Sequence, residues 1–244
     1  MATAVTAIVT GASGEIGRGI AERLAADGYS VVVHYSRNFS KADETARKIN
    51  AQGGRAMTLA ADISKQDDVK KLFKDARTAF GDLTAVVNCA AVIPLSTIQK
   101  GDIESFDNTV ATNLRGSFLL MSEAANHVVD GGRIIVFSSS VIAKGFPTYG
   151  AYIASKAGVE GLMHVLANEL GPRGITVNAV APGPVATALF LNGKSDEEIA
   201  NFAKMAPLER IGEIADVVGL VSFLLGREGG WVNGQVIRVN GGYA

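Results

Sequence analysis

Short apolar runs alternate with amphipathic stretches along nearly the whole chain. The runs are rich in Val and Ile and stop at Gly, Asn or Ser, which is typical of buried strands. The stretches between them carry apolar residues at helical spacing, as Val69, Leu72, Phe73 and Ala76 do on one face. This pattern predicts strands at 5–10, 30–34, 55–61, 83–87, 133–137, 174–181 and 235–239, and helices at 18–27, 41–51, 66–80, 102–129, 152–170 and 213–225.

The regular alternation of strands and helices indicates the fold class. Each crossover is long enough for parallel pairing, and no linker or low-complexity tract interrupts the chain. We therefore expect a single domain over residues 1–244, an α/β Rossmann-type doubly wound parallel sheet of about seven strands flanked by helices. After Pro182-Gly183-Pro184, residues 185–208 form an irregular segment with a short helix at 195–204, which we interpret as a mobile substrate loop.

Candidate functional residues lie at the ends of four predicted strands. Gly11, Asn88, Ser139 and Pro182 each stand at or just after the end of an apolar run. Ligands of doubly wound sheets bind beyond the carboxyl ends of the strands, so these four positions predict one shared site.

The first strand leads into a glycine-rich turn and then into a helix. Glycines let the backbone approach a pyrophosphate, and the helix N-terminus offers free N–H groups and the positive end of its dipole. A tight turn without a ligand is the alternative, but the strand–turn–helix context favours a dinucleotide cofactor. The expected cofactor contacts in this turn are Gly11, Ser13, Gly14, Ile16 and Gly17.

The end of the second strand indicates which dinucleotide binds. An acidic residue there would bind the adenosine ribose 2′-hydroxyl, but the chain offers Tyr35, Ser36 and Arg37. A hydroxyl and a guanidinium suit a 2′-phosphate, so NADPH is favoured and NADH is the alternative. Beyond the third strand, Asp62 is expected either to accept from the adenine amino group, with Ile63 as a neighbouring contact, or to cap the next helix.

The central stretch, residues 138–156, carries the candidate catalytic groups. Tyr152 and Lys156 lie four residues apart, so one helical face presents both side chains. An ammonium close to a phenol lowers the pKa of that phenol from about 10 toward neutral pH. A serine at the end of the preceding strand could bond the same reacting oxygen, which suits proton transfer to a carbonyl while a hydride arrives elsewhere. An ordinary solvated helix start is the alternative.

Taken in order, these motifs resemble the short-chain dehydrogenase/reductase family, and within it the branch of 3-oxoacyl reductases and carbonyl reductases. Any one motif is weakly specific, whereas the ordered set covers nearly the whole chain. The matching positions are Thr10-Gly11-x-x-x-x-x-Gly17, Asp62, Asn88-x-Ala90, Asn113, Ser139, Tyr152-x-x-x-Lys156, Pro182-Gly183-x-x-x-Thr187, Pro207-Leu-Glu-Arg-Ile-Gly212 and Asn233 to Gly242.

The family resemblance implies a role for each catalytic residue. Tyr152 would donate the proton, and Lys156 would lower its pKa and bind the nicotinamide ribose. The family places its serine thirteen residues before the tyrosine, which selects Ser139 to orient the carbonyl. Asn113 would hold a water of a proton relay, although a satisfied core amide or a bond to a neighbouring carbonyl also fits its position. The implied cofactor contacts are Asn88, Ala90, Pro182, Gly183, Val185 and Thr187, the last at the nicotinamide carboxamide.

Two positions depart from the family pattern. Glu15 stands where the family has a glycine, and a carboxylate beside a 2′-phosphate would repel it unless it points away. This residue weakens the expectation of NADPH without reversing it. Ala91 replaces a further glycine and adds one methyl group near the adenosine path.

The predicted reaction is reduction of a ketone to a secondary alcohol, with a 3-oxoacyl thioester or a small alkyl or aryl ketone as substrate. Alternatives are an alcohol dehydrogenase that oxidises with NAD, an enoyl reductase that uses Tyr149 and Lys156, and a non-catalytic dinucleotide-binding regulator. An acyl carrier protein would need a basic docking patch, for which Arg173 is the candidate. The expected pocket residues are Pro94, Leu95, Ser140, Val141, Ile142, Phe146, Pro147, Tyr149, Val185, Leu189, Phe190 and Leu191.

Composition narrows the partners and the compartment. The 23 basic and 24 acidic residues leave a net charge of −1, which gives no support for a nucleic-acid or anionic membrane partner. The single Cys89 excludes an internal disulfide framework, and no apolar run approaches the ~20 residues of a membrane span. We expect a soluble cytoplasmic protein without a metal, since His34, His127 and His164 lack ligand spacing. The small residues of helix 152–170 would let a helix of another subunit pack closely. Because members of the family that the chain resembles are commonly tetramers, we expect a homotetramer.

Overall fold

Seven parallel strands form the centre of the molecule in the computed structural model, which describes residues 5–244. Their order across the sheet is β3-β2-β1-β4-β5-β6-β7, and every neighbouring pair is parallel. The strands are β1 (Thr6–Thr10), β2 (Ser30–Tyr35), β3 (Arg55–Ala60), β4 (Leu83–Asn88), β5 (Val128–Phe137), β6 (Thr176–Pro182) and β7 (Val236–Val239).

Helices cover both faces of this sheet, and they connect the strands in chain order. They are α1 (Glu15–Ala26), α2 (Phe39–Ala51), α3 (Gln66–Phe80), α4 (Ile103–Thr109), α5 (Gly116–His127), α6 (Gly150–Leu170), α7 (Ala188–Leu191), α8 (Asp196–Lys204) and α9 (Ile214–Leu225). The predicted doubly wound α/β class is therefore confirmed over the described residues.

The apolar core lies in two layers, one on each face of the sheet. All five residues of β1 are buried, with Ile8 in one layer and with Ala7 and Val9 in the other. A strand that is covered on both sides has no polar face, because successive side chains point to opposite layers. This explains why the strands are apolar runs rather than alternating patterns in the sequence.

One predicted helix, 102–129, is wrong in its continuity and in its end. After α4 the chain forms a wider π turn, Val110–Arg115, before α5 begins at Gly116. Asn113 lies in that turn and bonds both backbone groups of Val92, which draws the turn toward the end of β4. The chain then re-enters the sheet at Val128, paired with Leu83, so β5 begins earlier than the predicted 133.

The strand order reverses at β1, which lies between β2 and β4. Such a reversal opens a crevice beyond the carboxyl ends of the strands. Asn88 and Pro182 are the last residues of β4 and β6, and Gly11 directly follows β1. The fold thus brings the predicted site positions to the same edge of the sheet.

Between residues 5 and 244, no helix combines the length and apolar character needed to cross a bilayer.

Candidate active site

The glycine-rich turn is built on two positions that admit only glycine. Gly11 has φ +65°, and a Cβ on it would lie 2.9 Å from the Ala90 backbone. A Cβ on Gly17 would lie 2.5 Å from the Gly11 carbonyl oxygen. Gly14 precedes α1 without a side-chain cap, so the first-turn N–H groups of a twelve-residue helix are left to an anion. The turn therefore fits the pyrophosphate of a dinucleotide.

His34 supports this turn and was not singled out as a site residue by the sequence. Its Nδ1 accepts from the Gly11 N–H at 3.2 Å, and its Nε2 donates to the Ala61 carbonyl at 3.0 Å. Burial lowers the pKa of this imidazole to about 4, against weaker opposing effects of Ala61 and Asp62. The side chain is therefore neutral at pH 7 and acts as a fixed acceptor for the turn.

The residues expected to choose the dinucleotide lie at the end of β2. Ser36 and Arg37 are exposed, whereas the Tyr35 ring packs 5.5 Å from that of Phe39. Glu15, the residue that argued against NADPH, accepts a hydrogen bond from the Ala188 N–H at 2.6 Å. Its carboxylate is thus directed toward α7.

Asp62 forms a local turn instead of capping α3, whose N-cap residue is Lys65. Its Oδ1 accepts from the Ser64 N–H at 3.0 Å and from the Ser64 hydroxyl at 2.7 Å. Partial burial raises the pKa of this carboxyl, but the Ser64 hydrogen bonds and the charges of Lys65 and Arg37 together outweigh burial, and the net pKa is lowered. Asp62 is ionised at neutral pH, as acceptance from an adenine amino group requires.

Two predicted cofactor contacts direct their side chains into the protein. Asn88 accepts from the Thr10 hydroxyl at 2.7 Å and donates to Ser117 Oγ at 2.9 Å, which holds the strand ends together. Ile63 is buried and lies close against Gly116. The Asn88 amide is used in hydrogen bonds between strand ends and Ile63 in core packing, so a cofactor contact at either residue would fall to its backbone, and both stay predictions.

Ser139, Tyr152 and Lys156 line one cavity of about 350 Å³. Ser139 stands two residues beyond the end of β5, and α6 carries the other two residues on its first turns. Lys156 Nζ donates to the Phe137 carbonyl at 2.8 Å and lies 5.8 Å from the centre of the Tyr152 ring. The strand end and the helix face thus bring a hydroxyl, a phenol and an ammonium together.

The pKa values in this cluster differ from the expectation. Burial raises the pKa of Tyr152 to about 12, although a hydrogen bond with Ser139 acts in the opposite direction. Burial also lowers the pKa of Lys156 to about 8. The net shift of the Tyr152 pKa is upward, opposite to the expected lowering, because desolvation of the phenol dominates. The phenol keeps its proton at neutral pH, which a proton donor requires.

Asn113 is fully buried beside this cluster. Its Oδ1 accepts from the Val92 N–H at 2.8 Å, and its Nδ2 donates to the Val92 carbonyl at 2.9 Å and to Ser155 Oγ at 3.2 Å. The bond to a neighbouring carbonyl, one of the alternatives for this residue, is therefore present. Asn113 ties the π turn to the loop after β4 and to α6.

The cavity is lined by residues of both the predicted cofactor site and the predicted substrate pocket. Its lining includes Ile16, Pro182, Gly183, Val185 and Thr187 from the cofactor set, and Leu95, Val141, Phe146, Tyr149, Leu189 and Phe190 from the substrate set. Ala91, the departure from the family glycine, also lines it, and the residues that the sequence did not single out are Cys89, Ile93, Asn192, Lys194, Phe202 and Tyr243. Tyr243 could not be found by spacing, because the chain returns to the cavity only near its last residue.

Five of the twelve predicted substrate residues do not line this cavity: Pro94, Ser140, Ile142, Pro147 and Leu191. Ser140 is buried, donates from Oγ to the Ala181 carbonyl at 2.9 Å and accepts from Asn240 at the same distance. Pro94 is not part of the cavity wall, which its neighbours Ile93 and Leu95 form. Ser140 therefore links β6 to the chain after β7.

The fold and the site define a Rossmann-type oxidoreductase, and known proteins support that class. A family model described as Enoyl-(Acyl carrier protein) reductase matches residues 11–244. A short-chain type dehydrogenase/reductase of Picea abies is 48% identical over 246 aligned positions, which cover 97% of this chain and 91% of the relative. An NADPH-dependent aldehyde reductase-like protein, chloroplastic, of Arabidopsis thaliana is 43% identical, covering 97% and 93%.

Solved structures agree with the sequence relatives. A short chain dehydrogenase from Burkholderia cenocepacia J2315 in complex with NADP superposes with a TM-score of 0.92 at 33% identity, covering 97% of this chain and 96% of that one. The chain belongs to the short-chain dehydrogenase/reductase family, as its ordered motifs predict.

Proposed function

We propose that this protein is an NADPH-dependent ketoreductase that converts a ketone into a secondary alcohol. The observation that carries the proposal is the meeting of Ser139, Tyr152 and Lys156 at one cavity. The same cavity is lined by Pro182, Gly183 and Thr187, the expected neighbours of a nicotinamide. A bound nicotinamide and the carbonyl group of a substrate would therefore lie next to each other, beside a proton donor.

The three residues divide the work at the carbonyl oxygen. The reduced nicotinamide, when bound, supplies a hydride to the carbonyl carbon. The Ser139 hydroxyl donates a hydrogen bond that orients the carbonyl oxygen and stabilises the charge that develops on it. Tyr152 transfers its phenolic proton to that oxygen, and the nearby Lys156 ammonium stabilises the phenolate that remains.

NADPH is the cofactor that the chain's own residues favour. Ser36 and Arg37 are exposed at the end of β2, where a 2′-phosphate would bind, and Glu15 is occupied by the Ala188 N–H. A relative is named as NADPH-dependent, and a solved relative holds NADP. An alcohol dehydrogenase that oxidises with NAD would use Ser139, Tyr152 and Lys156 in the reverse direction.

The test follows NADPH oxidation at 340 nm with ethyl acetoacetate, beside a parallel assay with NADH. Tyr152→Phe is expected to lower kcat/KM about 10²–10⁴-fold, because the proton donor is lost. Binding of NADPH to the variant, followed by nicotinamide fluorescence, should stay unchanged and serves as the control for folding. Tight coenzyme binding without turnover of any ketone, in either direction, would instead support a dinucleotide-binding regulator.

Enoyl reduction is the second candidate, favoured by the description of the matching family model. Tyr149 lines the same cavity, and its ring centre lies 6.3 Å from that of Tyr152. An assay with crotonyl-CoA as substrate separates the two reactions. Tyr149→Phe should abolish enoyl reduction, whereas Tyr152→Phe should abolish ketone reduction. Ketone reduction is preferred, since Lys156 lies beside the ring of Tyr152 and Ser139 faces the same cavity.

The homotetramer and the cytoplasmic location expected from the sequence stay predictions. Light scattering after size-exclusion chromatography measures the mass of the assembly directly, against 25.4 kDa for one chain.

A further inference from the structure

Five aromatic rings form a continuous series from the outer helices to the proton donor. Phe190 and Phe202 meet at 5.2 Å and 80°, and Phe202 meets Phe146 at 6.2 Å and 80°. Phe146 lies 6.2 Å from Tyr149 at 57°, and Tyr149 lies 6.3 Å from Tyr152 at 73°. All five residues line the 350 Å³ cavity, and we call them the aromatic wall.

The aromatic wall is assembled from separate parts of the chain. Phe190 belongs to α7 and Phe202 to α8, whereas Phe146 and Tyr149 precede α6. Rings that meet at steep angles hold each other in favourable edge-to-face contacts, so their positions are set before a substrate arrives. Lys194 adds to this order, because its Nζ lies 4.6 Å from the Phe190 ring centre and donates to the Phe190 carbonyl.

We infer that the aromatic wall selects a small ketone whose carbonyl carbon is attached to a flat aromatic ring. The inference rests on the proposed ketone reduction and names its substrate class. A substrate ring beside a protein ring gains stacking energy beyond the burial of its area, whereas a saturated group of equal size gains burial alone. A cavity of about 350 Å³ is near the lower end for ligand sites, and the cofactor-facing residues share it.

The competing substrate, an acyl chain on a carrier protein, loses its expected docking residue. The Arg173 guanidinium donates to Asp130 at 2.7 Å, to the Ala125 carbonyl at 2.6 Å and to the Val128 carbonyl at 2.5 Å. Arg173 therefore ties the start of β5 to the end of α6. A side chain held by three partners of its own chain is a poor anchor for a passing acidic protein.

The test compares acetophenone with cyclohexyl methyl ketone, which differ mainly in the flatness and π-system of the ring. The kcat/KM ratio of the two ketones is measured for the wild type, for Phe202→Leu and for Phe146→Leu. Leucine keeps an apolar side chain in the cavity but removes the ring. The aryl-to-cyclohexyl ratio is expected to fall about fivefold in each variant, and the different intrinsic reactivity of the two ketones cancels in this comparison.

Phe223→Leu is the matched control, because this phenylalanine is 42% exposed on α9 and is not part of the cavity wall. Its ratio should stay within about twofold of the wild type. An unchanged ratio in both wall variants, with melting temperatures like that of the wild type, overturns the inference. Reduction of ethyl acetoacetate by the wild type is measured in the same series, so failure of ketone reduction itself is recognised separately.

Discussion

At the scale of single residues, the buried His34 imidazole must stay neutral to accept the hydrogen bond of the glycine-rich turn, so its protonation links stability to pH. Its folded pKa of about 4 lies below the ordinary value of 6.5. Between these two pH values the unfolded chain binds more protons than the folded chain. The stabilising contribution is therefore fully present above about pH 6.5 and is lost as the pH falls toward 4.

We predict that His34→Gln reduces this loss of stability on acidification. Glutamine stays neutral, so the part of the loss that His34 causes, about 3 kcal/mol at most, should disappear. Urea unfolding of wild type and variant from pH 7 to pH 4 measures the difference. His164→Gln, at an exposed position of α6, is the control and should follow the wild-type profile. Parallel profiles for all three proteins would contradict the prediction.

Arg37 is the residue that should decide between the two dinucleotides. Removing a charged hydrogen bond to a 2′-phosphate costs about 1.5–3 kcal/mol, so Arg37→Ala should raise the KM for NADPH by about 10–100-fold. The KM for NADH should change by less than about twofold, since that cofactor lacks the phosphate. Arg47→Ala, on the exposed face of α2 beside Asp43, is the matched control. Equal effects on both cofactors would place Arg37 outside the phosphate site.

At the scale of elements, the short helix α7 is fastened to the start of α1. The Glu15 carboxylate accepts from the Ala188 N–H, and the Thr187 side chain caps α7 by accepting from the Phe190 N–H. Four residues are too few for a helix to be stable by its own hydrogen bonds. The position of α7, and with it Phe190 of the aromatic wall, therefore depends on these contacts.

We predict that Glu15→Ala loosens α7 while leaving the sheet intact. The amides of residues 188–192 should exchange with deuterium about tenfold faster, because a charge-assisted hydrogen bond is removed. Hydrogen–deuterium exchange with mass spectrometry measures this segment against peptides from β1 and β4. Glu104→Ala, an exposed position in the first turn of α4, should leave the exchange of α7 unchanged. Unaltered exchange in the Glu15 variant would mean that the Ala188 contact does not hold the helix.

At the scale of the whole molecule, the sequence predicted what depends on local pattern. All seven strands were found, because each is an apolar run that ends at a turn residue, and strand ends define where ligands bind in this fold. Tyr152 and Lys156 were found because four residues on a helix place two side chains on one face. The motifs then indicated the family without any tertiary information.

What the sequence missed depends on contacts between distant residues. The His34 bond to Gly11 crosses from β2 to β1, and Tyr243 reaches the cavity from the far end of the chain. The π turn at Asn113 is set by Val92, a partner that helical periodicity does not record. The raised pKa of Tyr152 follows from burial, which depends on the folded chain and not on the spacing of Tyr152 and Lys156.

The hydrogen bond from Lys156 to the Phe137 carbonyl has a consequence for how this protein can change. It anchors the reacting groups to the middle of the sheet, whereas Phe190 and Phe202 come from the segment that carries α7 and α8. Two of the five wall residues therefore lie on a different part of the chain from Lys156, and Tyr152 alone belongs both to the wall and to the reacting groups. If the aromatic wall selects the substrate as proposed, exchange of the segment that carries α7 and α8 should change substrate preference while Ser139, Tyr152 and Lys156 keep their positions.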